Sequence, residues 1–353
     1  MEASSRIATF DIAKAVVMLL VVGGHIYGNG IVANANEWCD PYYGNFTVGV
    51  DMPLFFMISG YFSANSLRKG TLGKLIARTV GFLWPVISFG VIFGVIIGLT
   101  GTKPLWKVFL YPVARVAFAD WFLRTIAIVY LSFAVILRLA KTESRRLILL
   151  LLLYVGLFFA PRWIPFHWTS DVMHMFPYFV FGMLVLRPFE LHKKTRIAIP
   201  AGLFFLSVVL SEGNVNSNGM SFYNVTTDWH STLSSAHLFL CFWARTFVGI
   251  SGGVFVLWLF DTLCSRFGFL DKMAVFGTTT LGVYIMHQLP IFTLKEFAVL
   301  EVPLGGFLKW PLAISLFLAC HFLTVALRRS RLLNTLLFGN EKLLEEKIDH
   351  LIG

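Results

Sequence analysis

Long apolar segments alternate with short charged or aromatic connections along the whole chain. A helix needs about 20 mainly apolar residues to cross a hydrocarbon layer about 30 Å thick, and these segments approach or reach that length. The pattern predicts an all-α polytopic membrane protein. We place about ten spans near residues 10–31, 47–66, 79–100, 121–138, 147–160, 172–186, 197–212, 237–260, 273–293 and 311–327.

The connections between these segments are too short to hold a separate soluble domain. We therefore expect residues 1–338 to form a single integral-membrane domain, followed by a short charged cytoplasmic tail at residues 339–353. The first apolar segment superficially resembles a cleavable signal sequence. Because Glu2 and Asp11 interrupt the basic region that such a signal needs, we expect a retained first helix.

Composition supports a membrane location, since 57% of the residues are hydrophobic and only 14% are charged, against about a quarter in soluble domains. The net charge of +10 does not indicate nucleic-acid binding, because lysine and arginine lie in short clusters between apolar segments. Most of these lysines and arginines lie in every second connection along the chain. The positive-inside rule therefore predicts a multi-pass plasma or inner membrane protein with both termini in the cytoplasm.

Candidate chemistry begins in the first apolar segment, which carries Asp11, Lys14 and His25. On an α-helix Lys14 and His25 lie on nearly one face, about 16 Å apart along the axis, and Asp11 shares that face. Ionisable groups at bilayer depth are costly, so they usually face a bundle interior or a water-filled cavity. We therefore take this face as the first candidate site. The four cysteines show no metal-binding spacing, and we expect no metal.

The predicted topology brings further polar residues to the depth of His25, in the outer half of the membrane. They are Asp51, Trp121, Arg124, Arg245 and His287. Asp51 is a plausible partner that would fix the tautomer of His25 and make it a general base, although a hydrogen-bonded packing histidine is the alternative.

Four of the basic candidates leave structural and functional interpretations open. Arg124 and Arg245 either bind an anion or form salt bridges. Arg78 and Lys14 lie near the cytoplasmic face, where a side chain that extends to the membrane surface is the alternative to a functional role.

Four motifs carry a resemblance to a known family. Lys14 is followed after ten residues by His25, and residues 49–61 read Gly-Val-Asp-Met-Pro-Leu-Phe-Phe-Met-Ile-Ser-Gly-Tyr. The other two are Trp-Phe-Leu at 121–123 and Gly-Val-Tyr-Ile-Met-His at 282–287. In this order they resemble the membrane acyltransferase family 3.

The resemblance implies transfer of an acyl group, commonly acetyl, from cytoplasmic acyl-CoA to a hydroxyl of an envelope glycan or lipid-linked sugar. It also implies that Lys14 and His25 are essential, and it extends with less support to Asp51, Trp121 and His287. Some members have paired arginines after the second helix, where this chain has one match, Arg78. Envelope-biosynthesis proteins are possible partners.

These observations combine into one hypothesis. The face from Lys14 to His25 guides the acyl donor, Asp11 and Arg78 contribute to its binding, and His25 either deprotonates the acceptor hydroxyl or carries the acyl group. A transporter or flippase of a glycan intermediate, with no covalent chemistry, is the main alternative. A sensor or assembly protein whose charges form packing salt bridges is the third.

Overall fold

The computed structural model describes most of the chain, and no β-strand occurs among the described residues. These are residues 2–28, 41–99, 110, 113, 116, 121–163, 167–186, 194–215, 235–291, 309–339 and 341–352. The chain divides into two compact units. The first unit comprises Met1–Phe55 and Pro188–Ala326, and the second comprises Phe56–Arg187 and Leu327–Gly353.

The described helices are named in chain order. They are α1 (Glu2–Gly28), α2 (Pro41–Lys69), α3 (Leu72–Leu99), α4 (Trp121–Leu139), α5 (Glu143–Trp163), α6 (His167–Phe181), α7 (Thr195–Val215), α8 (Ser235–Arg266), α9 (Ala274–Gly277), α10 (Thr280–Met286), α11 (Lys309–Arg329), α12 (Arg331–Phe338) and α13 (Glu341–Ile352). A π-helical turn, Gly182–Leu186, follows α6, and a 3₁₀-helix, Gly268–Met273, precedes α9.

Six of these helices are long and apolar enough to cross a membrane. The six segments are Ala8–Ile26, Leu72–Ile96, Trp121–Leu139, Thr169–Leu186, Phe242–Arg266 and Trp310–Arg329. The chain is therefore an all-α, multi-pass membrane protein, as predicted. The number of ten spans and the cytoplasmic location of both termini stay predictions.

One predicted span is wrong in its form. Residues 273–293 were expected to be a single helix, but the 3₁₀-helix, α9 and α10 divide the region. The helix breaks at Thr278 and Thr279, whose hydroxyls donate to the carbonyls of Val275 and Phe276 at 2.7 and 3.1 Å. Such local side-chain bonds compete with helical hydrogen bonding and favour a turn.

In the first unit, α1 packs against α8, α9, α10 and the 3₁₀-helix. Its buried residues are mostly apolar and include Ala13, Val17 and Val22. Gly277 at the end of α9 lies so close to α1 that a Cβ atom there would overlap the backbone of Asp11. This contact places the short helices α9 and α10 directly beside the candidate face of α1.

In the second unit, the C-terminal helices α12 and α13 pack against α3. Trp84 Nε1 and Ser88 Oγ, both on α3, donate to the carbonyls of Leu336 and Leu337 at 3.0 and 2.7 Å. These carbonyls belong to the last turn of α12, where no helical partner is available. Residues 341–352 of the predicted tail therefore form a helix that packs on α3.

The same unit contains a close contact between α2 and α6. A Cβ atom at Gly60 would overlap the backbone of Phe179, and one at Gly182 would overlap the backbone of Met57. The two glycines thus allow the helix backbones to touch, which is how small residues pack membrane helices.

We predict that Gly182→Ala lowers the thermal unfolding temperature of the protein in nanodiscs, because overpacking costs about 1–3 kcal/mol. Gly156→Ala on α5 is the matched control, since nothing lies within 4 Å of its added Cβ. Alanine there is expected to leave the stability unchanged or raise it by up to about 1 kcal/mol. A Gly182→Ala protein that unfolds at or above the wild-type temperature would contradict the close contact.

Candidate functional site

The N-terminal end of the α1 face carries an ion pair. Lys14 Nζ lies 2.6 Å from Asp11 Oδ1, one turn away on the same helix, and the side chains are 21% and 13% exposed. The pair satisfies one of the three N–H donors of the lysine. The predicted shared face of Asp11 and Lys14 is thus a direct contact, and the backbone of Asp11 is also the place where Gly277 touches α1.

The other end of the face carries a pair of histidines. His25 Nδ1 lies 2.8 Å from His287 Nε2, and the ring centroids are 4.9 Å apart. His287 is completely buried, and its Nδ1 lies 2.8 Å from the carbonyl oxygen of Val283, one turn earlier. His287 sits directly after α10, so the short helix beside α1 positions it.

His25 also has a hydrogen bond with the backbone of Val21, and the contact between the two histidines favours one tautomer of each neutral ring. A carbonyl oxygen only accepts, so Nδ1 of His287 carries a hydrogen and donates a hydrogen bond to the carbonyl of Val283. A neutral imidazole has one donor and one acceptor nitrogen, so His287 Nε2 accepts from Nδ1–H of His25. The basic lone pair of a neutral His25 is then on Nε2. An orienting group on one nitrogen and a lone pair on the other are what a histidine general base needs.

The predicted pairing of His25 with Asp51 is wrong. In the described part of the chain, Asp51 accepts a hydrogen bond from the backbone N–H of Met52 at 2.6 Å and interacts electrostatically with Arg245. The positive charge of Arg245 favours the ionised form of this carboxylate, and the two interpretations of Arg245, anion binding and a salt bridge, stay predictions.

Arg124 belongs to the second unit and is 5% exposed. Its Nη2 donates to Asp171 Oδ2 at 2.8 Å, and its Nη1 donates to the carbonyl of Val116 at 3.2 Å. Of the two interpretations left open, the structure therefore supports a buried salt bridge. Sequence reasoning did not identify Asp171 as the partner, because it lies 47 positions away at the start of another helix.

Arg78 and Trp121 also belong to the second unit. The guanidinium of Arg78 lies over the ring of Tyr130, 5.7 Å from its centroid, within the range of a cation–π interaction. Its Nε is buried without a hydrogen-bond partner in the part of the chain that the structure describes. Trp121 begins α4, and its ring meets Phe122 edge to face.

A second buried histidine lies outside the predicted set. His321 Nδ1 on α11 is 2.7 Å from the hydroxyl of Thr279, in the turn between α9 and α10. Because that hydroxyl donates to Phe276, the histidine nitrogen is the donor of the second bond. This contact anchors the turn that aligns α10 with α1.

Comparison with known proteins identifies a related family. The model of a family described as an acyltransferase domain matches residues 7–329. Nodulation protein NolL of Sinorhizobium fredii (strain NBRC 101917 / NGR234) is 33% identical over 87 residues. That match spans 24% of this chain and 24% of the relative, so it covers about a quarter of the relative's length. No solved structure matches.

The hydrogen-bond network predicts the tautomers of both paired histidines. In ¹⁵N-histidine-labelled protein above pH 8, where ordinary histidines are neutral, nitrogen NMR is expected to show a protonated Nδ1 on His25 and on His287. Signals are assigned with His25→Gln and His287→Gln, and the exposed His350 serves as the reference. A proton on Nε2 of neutral His25 would contradict the network.

Proposed function

Because the chain belongs to the acyltransferase 3 family, we propose that it moves an acyl group, acetyl in the first instance, from acyl-CoA to a hydroxyl of a cell-envelope glycan or lipid-linked sugar. The observation that carries the proposal is the hydrogen bond between His25 and His287, which leaves the basic lone pair of His25 on Nε2. This arrangement is what proton removal from a hydroxyl requires.

In the proposed reaction, His25 Nε2 takes the proton from the acceptor hydroxyl. The hydroxyl oxygen then attacks the thioester carbonyl carbon, the carbon–sulfur bond breaks, and the thiolate of CoA takes the proton from the imidazolium. His287 acts through His25 as a positioning residue, because it holds Nδ1 and so orients Nε2. In the alternative route Nε2 itself attacks the thioester carbonyl carbon, and the carbon–sulfur bond breaks to release the thiolate of CoA. The acceptor hydroxyl oxygen then attacks the acyl carbon, the carbon–nitrogen bond breaks, and the thiolate takes the hydroxyl proton.

The ion pair at the other end of the face serves the donor in this proposal. One N–H of Lys14 is bound by Asp11, and the remaining donors are suited to an oxygen of the donor. Asp11 holds the ammonium in place rather than touching the donor. Arg78 and Trp121 are proposed to contribute to donor or acceptor binding, and Arg124, Asp51 and Arg245 to support the helices that carry the site.

The proposal places the protein in the plasma or inner membrane, with its acyl-CoA supplied from the cytoplasm. The acceptor is a hydroxylated glycan or lipid-linked sugar of the envelope, and envelope-biosynthesis proteins are the expected partners. The Lys and Arg bias of the sequence supports this orientation. The resemblance of residues 14–25 and 49–61 supports the donor and acceptor classes.

We predict that His25→Ala lowers acyl transfer at least about 100-fold, since a positioned general base contributes about 10²–10⁴ to a rate. Protein in nanodiscs is given radiolabelled acetyl-CoA and envelope extract, and CoA release and labelled product are measured. Lys14→Ala is expected to raise the KM for the donor. His350→Ala on α13 is the control and is expected to match the wild type.

The same assay separates the alternatives. Label that stays on wild-type protein without acceptor, and is lost in His25→Ala, indicates the acyl-carrier route. Full transfer by a Lys14→Ala, His25→Ala double variant would exclude the proposed roles. Glycan movement across vesicles without CoA release would favour a transporter.

His287 gives a test of positioning. His287→Gln retains a carbonyl oxygen near the place of Nε2, which can accept from His25, whereas His287→Leu retains no acceptor. We expect the leucine variant to lose kcat about 10-fold or more with little change in KM, and the glutamine variant to recover part of it. Equal losses in both folded variants would show that the hydrogen bond to His25 is not the role of His287.

A further inference from the structure

The second unit contains a cavity of about 420 Å³ at the junction of α2, α4 and α5. Small-molecule sites have volumes in the range of about 300–1,000 Å³. The lining residues are Leu67, Gly70, Leu137, Arg138, Glu143 and Arg146. The function proposed above uses none of them. Two guanidinium groups in one ligand-sized cavity form a positively charged site, and its ligand is the subject of the inference.

Each guanidinium group contacts one backbone carbonyl, and the Arg138 side chain is exposed whereas Arg146 is half-buried. Arg138 Nη2 donates to the carbonyl of Gly70 at 3.0 Å, and Arg146 Nε donates to the carbonyl of Ala140 at 3.1 Å. A guanidinium has five N–H donors. In the part of the chain that the structure describes, neither group has another hydrogen-bond partner or an ion pair. Most donors of both groups therefore stay available to a ligand.

The one carboxylate of the cavity does not neutralise the arginines. Glu143 lies in the first turn of α5, where a negative charge stabilises the helix N-terminus. No ion pair joins it to Arg138 or Arg146 within the described residues. The lining therefore keeps an excess of positive charge, which disfavours a cation as the ligand.

We propose that this cavity binds a phosphate group that is part of a larger molecule. Guanidinium groups held in place present paired N–H donors to phosphate oxygens, the geometry in which arginine binds phosphate most strongly. The cavity is much larger than one water molecule, whose share of liquid volume is about 30 Å³, so there is room for the group that the phosphate is attached to.

The phosphate can come from a nucleotide or from an anionic lipid headgroup. The Lys and Arg bias predicts that residues 67–74 and 138–146 face the cytoplasm, where cytoplasmic nucleotides and the acidic lipids of the inner leaflet are both present. The inference stands independently of the proposed acyl transfer, because it concerns an anion site in the second unit.

The test uses the full chain in phosphatidylcholine nanodiscs and compares wild type with Arg138→Gln/Arg146→Gln. Glutamine keeps an N–H that can donate to the carbonyl of Gly70 or Ala140 but loses the charge. The probes are coenzyme A, pantetheine, inorganic phosphate and, in mixed nanodiscs, phosphatidylglycerol. Calorimetry measures the soluble probes, and native mass spectrometry measures the retained lipid.

We expect at least one phosphate-bearing probe to bind wild type about 10-fold or more tightly than the double variant, since hydrogen bonds to charged groups dominate such sites. Coenzyme A binding without pantetheine binding identifies a nucleotide phosphate. Selective loss of phosphatidylglycerol identifies a lipid headgroup, whereas binding of inorganic phosphate alone, with no binding of the larger probes, would contradict the proposal. Arg145→Gln, on the same helical turn but outside the lining, is the control and is expected to bind as wild type.

A variant that is expected to gain affinity provides a second test, which stays valid if the double variant does not fold. Glu143→Gln removes the negative charge from the lining and is expected to tighten binding of the same probe a few-fold. The proposal is overturned if no phosphate-bearing probe binds wild type. It is also overturned if the folded Arg138→Gln/Arg146→Gln protein binds as tightly as wild type, or if Glu143→Gln leaves the affinity unchanged.

Discussion

The pairing of polar side chains inside apolar helices is the constraint on which the rest of this structure depends. A lone charge at bilayer depth costs several kcal/mol, and removing one partner of a buried pair leaves the other uncompensated. Lys14 is therefore held by Asp11, and Arg124 by Asp171. The Arg124–Asp171 pair joins α4 to α6 and so restricts how these two helices pack, whereas the Lys14–Asp11 pair lies within α1 and holds the lysine side chain in place.

The first unit meets this constraint through a broken helix. Gly277 touches α1 at Asp11, and ten residues later His287 reaches His25 on the same helix. The segment from α9 through α10 therefore runs parallel to α1 and contacts both ends of its polar face. The turn at Thr279 is itself anchored by His321. One glycine and one histidine thus connect the ion pair and the histidine pair to a single supporting element.

The sequence was sufficient for part of this arrangement. Apolar segment lengths predicted the helices, and the 100° rotation per residue placed Asp11, Lys14 and His25 on one face. The partner of His25 was not predictable, because His287 lies 262 positions away and Asp51 was an equally plausible chemical partner at the same predicted depth. The break at Thr278 was missed because it depends on the hydroxyls of Thr278 and Thr279, which bond nearby backbone carbonyls. Hydropathy averaged over a whole span does not detect such local bonds.

The identity of the partner changes what His25 can do. A carboxylate partner would bring a formal negative charge into an apolar interior, and that charge would need compensation of its own. A neutral His287, with Nδ1 bonded to the backbone carbonyl of Val283, can hold the tautomer of His25 without adding a charge, so such a pair needs no counter-ion. When His25 takes a proton, the polarised chain from His25 through His287 to Val283 spreads the new charge. Asp51 instead accepts a hydrogen bond from the backbone of Met52, and the nearby charge of Arg245 favours its ionised form.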